Sequence, residues 1–185
     1  MAHGCGDGHS GVDPLSAAST AERTTGGCQC GAIRYAFTGA LDDPHICHCR
    51  MCQKAAGNYF LPLGGVLYAN FAVTRGEVAW FHSSEPIRRG FRRNCGTPLL
   101  FDPVPWAEGV AIVLGTLDDP AAVPPVHQYG TEARMPWLRH LHSLPGRTTE
   151  EDPEQASIPL GLIAATNHQH PDHDTDVWPA PQSSA

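Results

Sequence analysis

Six of the seven cysteines lie in three short motifs. These are Cys28-Gln29-Cys30, Cys47-His48-Cys49-Arg50-Met51-Cys52, and Cys95 followed by Gly96. C-x-C and C-x-x-C turns let two thiolates converge on one ion, and zinc favours thiolate sulfur in tetrahedral geometry. Cysteines as close as C-x-C make poor disulfides, because S–S geometry then strains the backbone. Met1 to Glu22 contains no basic residue and no apolar h-region, so no secretory signal is expected. Clustered cysteine in that setting reads as metal binding before it reads as a disulfide framework. Gly27, Gly31 and Gly96 flank the motifs and let the backbone turn tightly around the sulfurs.

Counting ligands separates two sites. Structural zinc sites are closed by four protein ligands, whereas catalytic ones keep three and leave a position for water or substrate. Cys47, Cys49 and Cys52 form a local set of three. His48, between two of them, is expected to point away. The natural reading is an open three-thiolate site. Cys28 and Cys30 need a partner from afar; Cys95 supplies one, which leaves this second set a ligand short. A lone free cysteine is usually a small buried hydrophobe, but that reading does not suit two clustered motifs in one chain. Cys5 lies in a Gly-, Ser-, Ala- and Asp-rich stretch and reads as an exposed thiol without a role.

The elements that must position these residues are mostly strands. Ala32 to Phe37 alternates as a strand does. Tyr59–Leu63, Val66–Ala69, Phe71–Arg75 and Val78–His82 follow as short segments, punctuated by Gly64-Gly65, Gly76 and Ser83-Ser84. Leu99–Phe101 and Val110–Leu114 continue the pattern. Asp42-Asp43-Pro44 reads as a turn, Gln53–Ala56 as one helical turn stopped by Gly57, and Glu132–Leu141 as a short helix or loop around Trp137. The fold class is mainly β, a compact domain of antiparallel strands around cysteine loops. Its expected extent is 25–147, between a flexible segment 1–24 and an acidic, largely flexible extension 148–185 that holds an apolar patch at Ile158–Ala165.

The net charge is −7, unevenly spread. All 12 Lys and Arg fall between Arg23 and Arg147 against nine acids, while 148–185 holds seven acids and no Lys or Arg. A mildly basic body between acidic tails suits an anionic small ligand and argues against nucleic acid or an anionic membrane. No apolar run reaches the length of a membrane span. The expected location is the cytoplasm.

The motifs resemble those of the glutathione-dependent formaldehyde-activating enzymes, a domain type shared with centromere protein V. Thr25-Gly26-Gly27-Cys28-Gln29-Cys30-Gly31-Ala32-Ile33-Arg34-Tyr35 resembles the first motif, and His45 through Gly57 the second. Arg89-Gly90-Phe91-Arg92-Arg93-Asn94-Cys95-Gly96-Thr97-Pro98-Leu99 resembles the third. Gly115–Pro120 and Met135-Pro136-Trp137 resemble the later, weaker ones, so the likeness spans about residues 24–140. It implies two small antiparallel sheets, a structural zinc joining the first and third motifs, and a catalytic zinc on the second. The implied reaction joins glutathione to formaldehyde as S-(hydroxymethyl)glutathione, a carbon–sulfur lyase activity. The third motif of the family reads F-C-x-x-C-G, and here Arg92 occupies the place of its first cysteine. Arginine cannot ligate zinc, since it stays protonated. The site then holds zinc with three thiolates and water, recruits Cys5 or a histidine, or is empty.

On this resemblance Cys47, Cys49 and Cys52 are the catalytic set, and Cys28, Cys30 and Cys95 complete the metal ligands. Arg88, Arg89 and Arg93 are candidate clamps for glutathione carboxylates, because guanidinium forks match carboxylates; the alternative is a solvated basic turn. His45 and His48 are candidate proton shuttles. Tyr59, Phe60 and Trp80 read as core. His168, His170 and His173 read as a solvated tail or a loose metal site. The expected partners are a small thiol and an aldehyde, with self-association or a protein partner left open. The competing class is a non-catalytic zinc module for protein binding, or a relative acting on another substrate.

Overall fold

The computed structural model describes residues 22–104, 108–148 and 160–178. Ten strands, two short α-helices and five 3-10 helices account for the regular structure among them. The strands are β1 (Arg23–Gly27), β2 (Arg34–Thr38), β3 (Asp42–Cys47), β4 (Leu61–Leu67) and β5 (Phe71–Arg75), then β6 (Ala79–His82), β7 (Arg88–Phe91), β8 (Pro98–Asp102), β9 (Gly109–Val113) and β10 (His127–Tyr129). Helix α1 spans Arg50–Ala56 and α2 spans Leu160–Thr166. A 3-10 helix at Pro136–Ser143 carries Trp137.

Two sheets form, as expected of a mainly β chain. The smaller has the order β1-β2-β5 and the larger the order β10-β3-β4-β9-β8-β7-β6. The second is larger than the expected pair of small sheets, and its edge pair β10–β3 is parallel rather than antiparallel. Ile33, Tyr35 and Phe37, spaced by two, carry β2 into a core with Val66, Leu99, Val110, Ile112 and Leu114 from the larger sheet. The strand is covered on its other face as well, where Arg34 and Ala36 are also buried. A second apolar cluster joins Cys52 to Leu61, Leu63 and Val113, with Cys47 and Cys49 packed against it.

Three expectations need correction. Tyr59–Leu63 and Val66–Ala69 are not separate strands; β4 runs through Gly64 and Gly65. A side chain at Gly64 would come within 2.9 Å of Leu41 and 3.0 Å of Leu114, so that glycine serves close packing rather than a turn. Asp42-Asp43-Pro44 lies inside β3, where its turn chemistry appears as an irregularity: the register shifts between Asp42 and His45, and Asp43 has φ of 47°. Residues 169–178 belong to the extension expected to be largely flexible, yet they rest on the body. The His170 N–H donates to the Gln29 carbonyl at 2.7 Å, Trp178 Nε1 donates to the Cys30 carbonyl, and Arg34 pairs with Asp174 at 2.8 Å. The apolar patch inside 158–165 is helical from Leu160, and its described side chains stay exposed. Among the described residues, no helix is long and apolar enough to cross a membrane.

Candidate metal centre

The chain brings Cys47, Cys49 and Cys52 together through a strand end and a helix start. Cys47 is the last residue of β3, paired with Leu61 on one side and Tyr129 on the other. Cys49 is the N-cap of α1, and its sulfur accepts the Cys52 N–H at 3.5 Å. This sulfur does the work a Ser or Asp oxygen does at most helix starts. The helix therefore begins three residues before the expected turn, and Gly57 ends it in the left-handed conformation at φ 60°. Cys52 is buried in the first turn.

The three sulfurs lie within 4.8 Å of one another. A tetrahedral zinc with Zn–S near 2.3 Å needs S···S edges of about 3.8 Å, so this donor set fits the ion with little closure. The electrostatics point the same way. Burial, with hydrogen bonds that Cys47 donates to the neighbouring sulfurs, pushes Cys47 up to about 12. Burial also raises Cys52, against the lowering pull of Arg89. Burial acts upward on Cys49 too, but the Cys52 amide and the neighbouring thiols outweigh it and lower that thiol. Three thiolates this close repel one another, and a divalent cation removes the conflict.

Cys28, Cys30 and Cys95 form a second group, again within 4.8 Å. The Cys28 and Cys30 sulfurs are 3.6 Å apart, near a tetrahedral edge. Cys28 is buried, accepts the Ile33 N–H at 3.2 Å, and is pushed by burial up to about 11. Cys95 is brought down to about 7: burial opposes this, but Thr97 and Cys30 donate to its sulfur. Arg92 stands in the same turn, where its N–H donates to the Thr97 carbonyl and its Nε has no partner. Among the described residues, no fourth His, Cys, Asp or Glu joins this group. His170 is engaged elsewhere, Nδ1 at the Pro171 carbonyl and Nε2 at Thr175 Oγ1, and Cys5 lies outside the described residues. The donor set suits a thiophilic ion and leaves it one protein ligand short.

The three arginines separate because β7 alternates. Arg89 is buried, with NH2 3.5 Å from Cys52 Sγ and its guanidinium 5.1 Å above the Phe101 ring. Arg88 faces the other way, stacks on Trp80 at 4.1 Å and closes on buried Asp102 at 2.7 Å. Arg93 is exposed. His48 does not join the three sulfurs and is buried: Nε2 meets Gln128 Oε1 at 2.8 Å, and Phe60 packs edge-on. Its burial does not suit a proton shuttle. Tyr59 and Trp80 are exposed rather than core, and Tyr59 packs edge-on against Trp137 at 4.6 Å.

Residues that the local pattern does not advertise hold the thiolate loop. Gln53 is buried and donates to the carbonyls of His48 and Ala133 at 2.8 and 3.0 Å. The Tyr129 carbonyl accepts the His48 N–H at 2.8 Å. Gly130 has φ of 64°, and a Cβ there would lie 2.7 Å from the Cys49 nitrogen. Gly130 is a bare turn-capable glycine in the sequence, and Gln128 and Tyr129 carry no local signal at all.

The chain is similar to known proteins in two respects. A crystal structure of a Rhodobacter sphaeroides protein is similar, at 18% identity and a TM-score of 0.47, covering 56% of this chain and 98% of that one. The model of the family described as glutathione-dependent formaldehyde-activating enzyme matches residues 23–132. That match takes in more than half of the chain, including both cysteine groups and the β10 residues that brace the second motif, and the chain belongs to this family.

Proposed function

We propose that this chain is a zinc-dependent enzyme of carbon–sulfur lyase type, which forms or breaks an adduct between glutathione, or a similar small thiol, and formaldehyde. Family membership supports a formaldehyde-activating function in general terms. The observation that carries the finer reading is the set of three converging sulfurs at Cys47, Cys49 and Cys52, with a buried guanidinium against one of them. Three thiolates match a zinc ion that keeps a position for substrate. Zinc, when bound, supplies a Lewis acid that makes a neutral-pH thiolate from the substrate thiol.

The residues of the chain do the rest. Cys49, fixed at the start of α1, and Cys47, fixed at the end of β3, set the spacing of the donors. Arg89 places positive charge beside Cys52 and partly offsets the sulfur charge. In the forward direction the S–C bond forms, the C=O π bond breaks, and the thiol proton ends on the new hydroxyl; the reverse step restores thiol and aldehyde. Arg93, exposed near the third motif, is the candidate clamp for a glutathione carboxylate. Arg88 is left out of this role because Asp102 already occupies its guanidinium. A reducing cytoplasm is the setting in which unpaired cysteines, such as the six among the described residues, persist.

The test is NMR exchange between formaldehyde and glutathione, with and without protein, alongside zinc analysis. Acceleration that disappears together with the bound zinc in Cys49→Ser supports the reading. Bound zinc without acceleration rejects the reaction and favours a zinc-stabilised module or another thiol substrate.

A further inference from the structure

A third group of metal-binding side chains stands apart from the cysteines. Asp43, His45 and His127 each bring one ligand atom within 4.8 Å of the other two. They come from the parallel edge pair, where His45 and His127 are register partners on adjacent strands. The imidazoles stack at 5.8 Å with 13° between their planes. Asp43 reaches them because its left-handed backbone, at φ 47°, turns its carboxylate back over the strand. Its Oδ1 lies 2.8 Å from His127 Nε2 and its Oδ2 lies 3.5 Å from His45 Nδ1.

Ordinary hydrogen bonding satisfies part of this arrangement, since His45 Nδ1 meets the Asp43 carbonyl at 2.7 Å, and leaves one ring nitrogen without an aligned partner. His127 Nε2 is shielded from water yet has no hydrogen-bond partner, because the Asp43 oxygen is near but out of line. A carboxylate and two imidazoles whose ligand atoms lie this close are the donor set of a divalent ion. Tyr129 donates its hydroxyl to Asp43 Oδ2 at 3.2 Å and packs edge-on against both rings at 4.7 and 4.6 Å. That is the outer support which orients metal-bound carboxylates and histidines. Partial exposure of the Asp43 and His127 side chains, at 41% and 37%, leaves an entry path.

We infer that Asp43, His45 and His127 form a separate binding site for a borderline divalent transition ion, zinc or its neighbours cobalt and nickel. Two imidazoles and one carboxylate suit that class, whereas the thiolate groups prefer softer ions. The ion would tie β10 to β3 two residues before Cys47. β10 also holds His48 through the Tyr129 carbonyl and the Gln128 side chain. Occupancy therefore stiffens the segment between Cys47 and Cys49 from outside, whatever reaction those cysteines serve.

Nickel binding to the full-length protein tests this. The protein is first equilibrated against a weak chelator that leaves thiolate-bound zinc in place. Calorimetric titration with nickel then proceeds while released zinc is followed with an indicator dye. The expected result is one nickel equivalent without zinc release, weakened about tenfold or more by either Asp43→Asn or His127→Gln. Asparagine tolerates the left-handed backbone, so Asp43→Asn preserves the fold, and an unchanged zinc content verifies this in each variant. His168→Ala/His173→Ala should leave the equivalent intact. The inference is overturned if nickel binds only as zinc leaves, or if both Asp43→Asn and His127→Gln bind like the parent. Because activity is not read, failure of the formaldehyde reaction and failure of this site are distinguishable.

Discussion

Replacing Arg89 by Met tests whether the buried guanidinium serves the Cys47, Cys49 and Cys52 group. Arg89 NH2 is 3.5 Å from Cys52 Sγ, and the side chain is only 8% exposed. Hydrogen bonds involving a charged group contribute about 1.5–3 kcal/mol. At about 1.4 kcal/mol per factor of ten, zinc at this site should bind roughly 10- to 150-fold more weakly in Arg89→Met. The fold should survive, because Met keeps most of the packing on Phe101 and removes a charge whose Nε lacks a partner. Competition with a chelator of known affinity measures the first effect and thermal unfolding the second. Zinc affinity within threefold of the parent, with unfolding unchanged, would refute the reasoning, because the arginine would then be only a packing element.

Three other perturbations read different parts of the structure. Arg34 is 3% exposed and pairs with Asp118 and Asp174, so Arg34→Met strands the Asp118 carboxylate and should cost about 3–5 kcal/mol in denaturant unfolding. Burial pushes Asp118 up, but hydrogen bonds from Arg34 and Thr25 outweigh it and its folded value is lowered. The stability it contributes is therefore fully present above the ordinary carboxylate range and is lost as pH falls through the lower folded value. The gap between parent and Arg34→Met should thus hold at neutral pH and narrow in acid; a gap that widens in acid contradicts the pairing. Gly130→Ala should destabilise by about 1–3 kcal/mol and reduce zinc content, since its Cβ would meet the Cys49 nitrogen at 2.7 Å; parental zinc and stability would dismiss that contact. Gly31→Ala should loosen the 169–178 segment, because the new Cβ would sit 2.1 Å from both His170 and Trp178. Limited proteolysis should then cut that segment faster while the body persists, and equal cleavage rates count against the docking.

The parts of this structure legible in the sequence are those whose chemistry is local. The spacing of Cys47, Cys49 and Cys52 announces convergence, because a turn and a helix start are all it takes. Alternation marks β2, and short segments set off by Gly and Pro mark β5, β8 and β9, which share one core with it. Gly64 and Gly65 mislead because a glycine that makes room for Leu41 looks the same as one that makes a turn. β10 is illegible for a different reason: three residues carry no period, and His127–Tyr129 becomes a strand only because β3 offers an edge. The division of labour between Arg88 and Arg89 likewise depends on knowing that β7 is a strand. The docked segment rests on His170, Asp174, Thr175 and Trp178, which follow no periodicity and find partners 100 or more residues away at Gln29, Cys30, Arg34 and Arg75.

The two cysteine groups differ in how much chain lies between their members. The Cys47 group spans a single short stretch, so its sulfurs can gather while the chain is still emerging, before any sheet exists. The Cys28, Cys30 and Cys95 group closes a loop of about 70 residues, which in chain-entropy terms is worth about 4 kcal/mol to any cross-link joining its ends. An ion shared there would behave as a reversible staple across β2 to β7, fastened only after those strands are in place. With Arg92 where a fourth sulfur would stand, that staple is the one most easily undone, and the two sheets must then hold together chiefly by the core around Ile33, Leu99 and Ile112. The order of assembly is thus written into the spacing: the local group can load early, and the long-range group records that folding is complete.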